Sequence, residues 1–587
     1  MKKQNGSVEN KSSFITGAAV LAVSVIIVKI IGMIYKIVLA NFLGGVGNGL
    51  FTAAYELYIP LYTLATAGFP IAMSRMISES MALERYRDVK KIYKIALPFF
   101  LLAGIVCFLL MVGASAFYVK WIDCEDALPA IICLAPTIFF GCLVSVYRGY
   151  FEGQRNMLPT AVSEVIEALS KLVFGLSLAY YVQVKLNEEF TLFGTVIGKS
   201  LNSDSAQEVI ISYTVAAAIL GITVGSFLSF MYVYIMYRRR GRVRKSLLSD
   251  SPEPRRGKEI LRTLVKIAIP VGLGAIIMSI AGSIDSSLIL IRVNDISKDP
   301  DSLNCLLKMY DGLIYENVIE NGNIHKYLSG CYSYSLTIMM LVTAITQVFG
   351  TSALPNVTAA FVKGSRSLLK QEIETVLRVT TMVTIPCGLG MTVLSRPILS
   401  LLYSSPNVEC EVVIAAKALQ VLGITVIFVA TSTPICSMLQ AVNRADVPLK
   451  LFIGATVINI TMNYTLIIIP QLNIIGAAIG TLVAYIFVCF AAMYVLCRET
   501  NIMPDFNMIL VKPVICASVC VTAAFFAQKG LGALISDKVA TVISIIIAAI
   551  IYIIFMLIVK GITKNDILLL PKGNKIAKTL EKYRLIG

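Results

Sequence analysis

The sequence predicts an all-α polytopic membrane protein of about fourteen transmembrane helices, arranged as two six-helix lobes related by pseudo-two-fold symmetry plus two C-terminal helices. Three observations carry that reading. The chain of 587 residues is 57% hydrophobic and only 15% charged, where a soluble protein carries about 25%. Apolar runs of about 20 residues recur along its whole length. The halves on either side of a basic linker also resemble each other. The expected spans are 14–40, 49–74, 94–118, 127–150, 159–184, 208–237, 263–291, 329–358, 379–403, 412–438, 448–470, 474–497, 509–530 and 539–560.

The stretch Val25–Gly44 is apolar enough to cross a bilayer, yet it carries Lys29 and Lys36. Seven residues at about 100° each leave the two ammonium groups roughly 20° apart on one helix face. With the hydrocarbon edge near Ala18, Lys29 lies about 16 Å deep, close to the bilayer midplane. A charge there costs about 2.5–3.5 kcal/mol on insertion scales. It therefore faces either a water-filled, anion-attracting cavity or a structural partner such as Glu56 of the next helix. Lys36 is nearer the outer edge, within snorkelling reach and screened by water, so its removal is expected to matter less. Met1–Lys11 is short and polar, and no small-residue cleavage site follows the first apolar run, which reads as an uncleaved helix.

Lys and Arg collect on alternate loops. Arg75, Arg85, Arg87, Lys90 and Lys91 follow helix two, and a dense run from Arg238 to Arg262 follows helix six. Lys363, Arg366, Lys370 and Arg378 follow helix eight, and Lys564, Lys572, Lys575, Lys578, Lys582 and Arg584 fill the tail. The intervening loops are poorer in cations or carry acids, as in Asp123–Asp126, Glu188–Glu189 and Asp295–Glu320. Both termini are therefore expected in the cytoplasm. The net charge of +16 reads as this topological bias, with some attraction to anionic membrane lipids, and not as nucleic-acid binding.

Four regions follow: an N-lobe over 1–237 (helices 1–6), a basic cytoplasmic linker over 238–262, a C-lobe over 263–497 (helices 7–12), and helices 13–14 with a basic tail over 498–587. GQRNMLP at 153–159 matches VNRADVP at 442–448 in the pattern Gln/Asn-Arg-x-x-x-Pro. Pro159 and Pro448 are 289 residues apart, Pro98 and Pro386 are 288 apart, and Pro70 and Pro355 are 285 apart. Helices one and seven align at a smaller offset, and the difference matches a polar external insertion over 294–327 in the second half. Because the first half lacks an equivalent, the insertion is expected to be dispensable for membrane insertion. Six helices per repeat place the pseudo-two-fold axis along the membrane normal, with the cavity between the lobes.

Motifs for catalysis are missing where they would be sought, and the chain reads as a non-enzyme without cofactor or metal. His325 is the sole histidine and falls in the external insertion, which excludes a histidine triad or zinc site within the membrane. GTVIGKS at 194–200 has three residues between its glycines instead of four and no preceding strand, so it is not a phosphate loop. The thirteen cysteines include no CxxC pair, and no spacing rule favours pairing Cys305 with Cys331.

Several other charges fall within spans. Glu164, Glu167 and Lys171 on helix five share a face, which fits either mutual neutralisation or a relay. Arg148 closes helix four near the cytoplasmic side, as an interfacial anchor or a substrate contact. Asp285 lies deep in helix seven beside Ser283, Ser286 and Ser287, as a counter-ion or a coupling-ion site. Arg155 and Arg444 read as loop-end anchors to lipid phosphate.

These features carry a resemblance. The fourteen spans, the basic central linker, the doubled Arg-x-x-x-Pro loop and VKIIGMIYKIVLANFLG followed by GLFTAAYELY resemble the polysaccharide transporter family, in its stage V sporulation protein B-like branch. That family shares a superfamily with the multidrug and toxic compound extrusion transporters and the lipid II flippases. In those flippases the comparable stretch has a basic residue, two apolar residues and Gly, then a second basic residue. Lys29 falls at the first basic position. The second falls at Tyr35, with Lys36 beside it, and a further basic residue of helix two falls near Tyr62.

The resemblance implies a flippase in the bacterial cell membrane. It would move an undecaprenyl-diphosphate-linked saccharide, peptidoglycan lipid II or another envelope precursor, from the inner to the outer leaflet by alternating access. Lys29, Lys36 and Arg148 would meet the substrate. Asp285, Glu56, Glu164, Glu167 and Lys171 are the candidates for counter-ions or for a coupling cation, Na+ or H+. Two rival readings stand beside this one. A cation-coupled multidrug exporter of the same superfamily should place carboxylates, not lysines, on the first helix. A non-transporting scaffold for envelope or spore assembly would need the fold but not the charge. A major-facilitator protein is disfavoured, because the loop SRMISESMALERYRD lacks its Gly-x-x-x-Asp-Arg pattern.

Overall fold

The computed structural model describes residues 2–200, 202–241, 251–403, 405, 408–444 and 446–563. The linker cations Arg242, Arg244 and Lys245 lie outside the described residues, as do the tail cations from Lys564 to Arg584. The described chain is almost wholly helical. In order, the helices of the first half are α1 (Lys2–Thr66), α2 (Gly68–Ala82), α3 (Tyr86–Trp121), α4 (Leu128–Gly153), α5 (Leu158–Phe193), α6 (Ser203–Met236) and α7 (Gly257–Lys298). Two short helices, α8 (Pro300–Met309) and α9 (Glu316–Glu320), precede α10 (Ile324–Val362), α11 (Arg366–Val393), α12 (Ser395–Leu402) and α13 (Glu409–Ala441). The remainder are α14 (Asp446–Leu466), α15 (Asn473–Thr500), α16 (Lys512–Gly532) and α17 (Asp537–Ile558).

Twelve stretches among the described residues are long and apolar enough to cross a membrane. The first, Val23–Ala82, runs 60 residues and takes in residues 23–40 of the expected span 14–40 and all of 49–74. It is broken at Gly44, whose φ of 67° and ψ of −173° belong to a region open essentially to glycine alone. The expected span 448–470 is helix α14, whose Asn459, Thr461 and Asn463 dilute its apolarity and leave it out of the twelve. Those two differences reconcile twelve with the fourteen expected.

The internal repeat is visible in local backbone. Pro98 sits inside α3 and Pro386 inside α11. The turn after α4 has Arg155 at φ 61°, and the turn after α13 has Asn443 at φ 66°. In each turn the following residue returns its N–H to a carbonyl five positions back, from Asn156 to Phe151 and from Arg444 to Leu439. Arg444, expected as a lipid anchor, pairs with Glu499 and Asp446 as an intramolecular tie.

Packing divides the chain into two units, Met1–Asn294 with Glu316–Gly330, and Asp295–Tyr315 with Cys331–Gly587. This boundary differs from the one at 263 that the repeat gives. Most of α7 belongs to the first unit, because its apolar face finds cover there. Ile260, Leu264 and Ala268 are buried with Met73, Ile92, Phe100 and Tyr147. Further along, Ser279 bonds Thr63 at 2.9 Å, Tyr118 bonds Ser287 at 3.2 Å, and Asn294 donates to Asp123 at 2.7 Å. In the second unit, Thr381 on α11 donates to the Ile509 carbonyl at 2.6 Å, and Tyr334 stacks on Tyr403 with centroids 4.5 Å apart.

The insertion over 294–327, expected from the repeat to be dispensable for membrane insertion, is packed into the protein. It folds into α8 and α9. Asp299 caps α8 by accepting from the Ser302 N–H at 3.1 Å, and hydrogen bonds from the Ser302 hydroxyl first and that N–H second hold its carboxyl below the ordinary aspartate range. Leu306, Tyr310 and Val318 are buried, and Tyr310 donates to Asn473 at 2.6 Å. His325, at the start of α10, is buried against the Asp123 carbonyl at 2.9 Å. Cys305 and Cys331 are unbridged, as are the other eleven cysteines.

Two smaller points concern loops. GTVIGKS forms an antiparallel hairpin with Thr195 opposite Ser200 and Val196 opposite Lys199, turning through Ile197 and Gly198 at positive φ. Among the described residues the all-α description holds apart from these four, and a two-residue hairpin turn is no phosphate loop. The described end of the linker is clamped to the turn between α2 and α3. Buried Asp88 accepts from Arg85 at 2.7 Å and from the Arg255 N–H at 2.7 Å, and Lys91 donates to the Arg255 carbonyl at 2.6 Å.

Helices α5 and α6 approach each other closely in the first unit. A methyl group on Gly221 would overlap the Gly175 backbone. Small residues permit such backbone contact within a membrane, where there is no hydrophobic driving force to hold helices together. Gly221→Leu is expected to lose about 1–3 kcal/mol of stability through overpacking. The check is the melting temperature of the purified variant in detergent, followed by size-exclusion fluorescence.

Candidate functional site: the charged interior of the first unit

The site is built on the part of α1 before Gly44, the part after it, and α5, with α4 and α6 behind. Lys29 and Lys36 are both exposed on α1, and Lys36 lies within electrostatic reach of Lys29, Lys171 and Glu56. The shared face expected from their spacing is therefore kept. The partner expected for Lys29 is not. Glu56 faces Lys36 and the Ser283 and Ser286 hydroxyls of α7, and Lys29 makes no hydrogen bond or ion pair among the described residues. The helical neighbours Ile26, Ile27 and Ile30 are exposed as well, so this half of α1 packs lightly on the unit.

Helix α5 brings the third cation. The Lys171 ammonium sits 4.7 Å from the centre of the Tyr35 ring and 5.5 Å from that of Tyr55, and it donates to the Tyr55 hydroxyl at 3.2 Å. Tyr35 in turn donates to the Ala218 carbonyl of α6 at 3.1 Å, which fixes its ring. Tyr55 belongs to an aromatic ladder of Phe51, Tyr55, Tyr58 and Tyr62, with successive centroids 4.7, 5.7 and 5.0 Å apart. This ladder was legible in FTAAYELYIPLY as aromatics at i, i+4, i+7 and i+11, a helical face that charge-based reasoning passes over.

The acids of α5 are engaged elsewhere. Arg148 of α4 donates to Glu167 at 3.0 Å, to Ser163 at 2.9 Å and to Ser229 at 3.3 Å. The other Glu167 oxygen accepts from Ser226 at 3.2 Å. Glu164 faces Arg148, Glu167 and the Ser24 hydroxyl. The expected Glu164–Glu167–Lys171 cluster is thus divided: the acids go to Arg148, and the lysine goes to the tyrosines. The Arg148 donors point at protein oxygens and not outward. Asp285 is half-buried on α7 next to Ser286. A groove of about 310 Å³ opens beside this region, lined by Glu56, Leu61, Tyr118, Trp121, Ser283 and Ser287 among others. Its wall is mostly apolar, and Glu56 is the charged group in it.

Known proteins share this sequence and architecture. The family profile described as "Polysaccharide biosynthesis protein" matches residues 14–297, and that described as "Lipid II flippase MurJ" matches residues 328–549. The lipid II flippase MurJ of Bacillus subtilis (strain 168) is 24% identical over 490 residues, 81% of each chain. The stage V sporulation protein B of the same strain is 20% identical over 570 residues, 96% of this chain and 98% of its own. Among solved structures, lipid II flippase MurJ in an inward closed conformation superposes with a TM-score of 0.62 at 15% identity, covering 92% of this chain and 98% of that one. An inward-facing multidrug resistance MATE family transporter gives a TM-score of 0.54 at 14% identity, over 82% of this chain and 99% of that one. These two show the fold. The family is one of multi-pass membrane flippases and transporters, not enzymes. The chain is similar over its first half to the polysaccharide biosynthesis protein family and over its second half to the lipid II flippases, and it resembles both MurJ and stage V sporulation protein B along most of its length.

Proposed function

We propose that this protein flips an undecaprenyl-diphosphate-linked saccharide, lipid II or another cell-envelope precursor, from the inner to the outer leaflet by alternating access. The observation that supports this best is the charge of the first helix. Lys36 lies among Lys29, Lys171 and a single acid, Glu56. A site of that sign attracts a diphosphate and repels the cations that multidrug exporters carry. The saccharide would occupy water and the polyprenyl chain the bilayer. An inside-negative potential favours outward movement of anionic charge by about 2.3 kcal/mol per charge per 100 mV. Glu56 and Asp285 are the carboxylates we assign to a coupling Na+ or H+.

The test is complementation of a strain depleted of its lipid II flippase, together with a flipping assay on purified protein with a labelled lipid-linked saccharide. Growth and flipping support the reading, and failure of both removes it.

The proposed orientation puts both termini in the cytoplasm of a bacterial cell-membrane protein. A reporter fused after Arg244 should read cytoplasmic and one within Asp299–Asn321 external, because cations crowd the first loop and acids the second. An external signal after Arg244 would invert the topology.

A further inference from the structure

We infer that Lys171 is an anion-binding residue of this site, kept available by a neighbouring ion pair that holds away the acid otherwise nearest to it. The inference rests on the flippase reading for the identity of the anion, but its geometry stands by itself. Lys171 and Glu167 are four residues apart on α5, a spacing at which a glutamate and a lysine on one helix face normally pair. Here they do not. Glu167 gives one oxygen to Arg148 at 3.0 Å and the other to Ser226 at 3.2 Å. Lys171 is left with a single hydroxyl, that of Tyr55 at 3.2 Å, and with two ring faces.

An ammonium has three donors. One is satisfied by Tyr55, and the rings of Tyr35 and Tyr55 attract the charge without neutralising it. The side chain is half-buried, so water does not fully solvate it. Lys36 is within electrostatic reach, and two ammonium groups close together favour a ligand carrying more than one negative charge. A diphosphate meets that requirement, with spare donors on both lysines directed to its oxygens. Arg148 then acts at one remove. It is a positioning residue whose work is to hold Glu167 off Lys171.

The arrangement makes an unusual demand on double substitution. In Arg148→Gln the freed Glu167 can turn to Lys171 and neutralise it, so anion binding should fall. Adding Glu167→Gln removes the competing acid, so binding should return although Arg148 is still absent. If Arg148 itself touched the ligand, the second substitution would restore nothing.

The experiment measures binding of undecaprenyl diphosphate and of uncharged undecaprenol to purified full-length protein, in detergent micelles free of anionic phospholipid. The flippase reading requires wild-type protein to prefer the diphosphate. Equal binding of the two lipids by wild-type protein would overturn that reading, and this inference with it. Given the preference, Lys171→Gln should weaken diphosphate binding at least tenfold with undecaprenol binding unchanged, and Lys171→Arg should retain most of it. Arg148→Gln should weaken it comparably, and Arg148→Gln with Glu167→Gln should return to within about threefold of wild type, a difference under 0.7 kcal/mol. Wild-type diphosphate preference in Lys171→Gln would overturn the inference and leave the flippase reading standing. Failure of the double variant to recover would equally overturn it, by placing Arg148 on the ligand. Should Lys171→Gln not yield folded protein, the two Arg148 variants decide, since both keep Lys171.

Discussion

Lys36→Ala cuts flipping by roughly one to two orders of magnitude while leaving a folded, membrane-inserted protein: this is the expected result for the α1 cation within electrostatic reach of Lys29, Lys171 and Glu56. Lys36 is exposed and makes no ion pair among the described residues, so its loss strands no close partner. A hydrogen bond to a charged group contributes about 1.5–3 kcal/mol, which corresponds to a loss of roughly one to two orders of magnitude in binding. Lys36→Arg should keep most activity, because it keeps the charge. Lys29→Ala should reduce activity less, which reverses the order that depth alone gives. Depth ranks Lys29 first as the group nearest the midplane, but Lys36 is the one within electrostatic reach of both Lys171 and Glu56. The measurement is a flipping assay on abundance-matched variants. Full activity in both alanine variants would leave the flippase reading on family resemblance alone.

Deleting Asp299–Asn321 should remove the protein from the membrane altogether. The insertion supplies the buried side chains of Leu306, Tyr310 and Val318 and the Tyr310–Asn473 hydrogen bond. Each fully buried large apolar side chain contributes about 1.5–3 kcal/mol, and a domain's whole margin is about 5–15 kcal/mol. The segment also leads the chain into the start of α10. There Lys326 pairs with Asp126, and the Asn48 amide donates to the Gly330 carbonyl at 3.1 Å. At that crossing a methyl group on Gly330 would overlap the Gly45 carbonyl oxygen. Immunoblotting of membrane fractions against wild type checks the outcome. Wild-type abundance would restore the view of the insertion as an elaboration on a complete fold.

By itself the sequence determined the class, the helices and the duplication. An apolar run of about 20 residues has one stable solution in a bilayer, a helix that satisfies its own backbone, so spans are legible residue by residue. The repeat was legible because helix-breaking residues such as Pro98 and Pro386 mark positions along the chain. The common face of Lys29 and Lys36 followed from helical geometry alone.

Partner choice was decided by tertiary structure. Periodicity put Glu167 and Lys171 on one face, but nothing in α5 announces that Arg148, nineteen positions before Glu167, takes the acid, or that Tyr35 and Tyr55 take the lysine. The packing boundary inside α7 and the burial of the insertion were hidden for the same reason. Each depends on which surface an apolar or charged face meets across hundreds of residues of chain, and spacing along one helix carries no information about that.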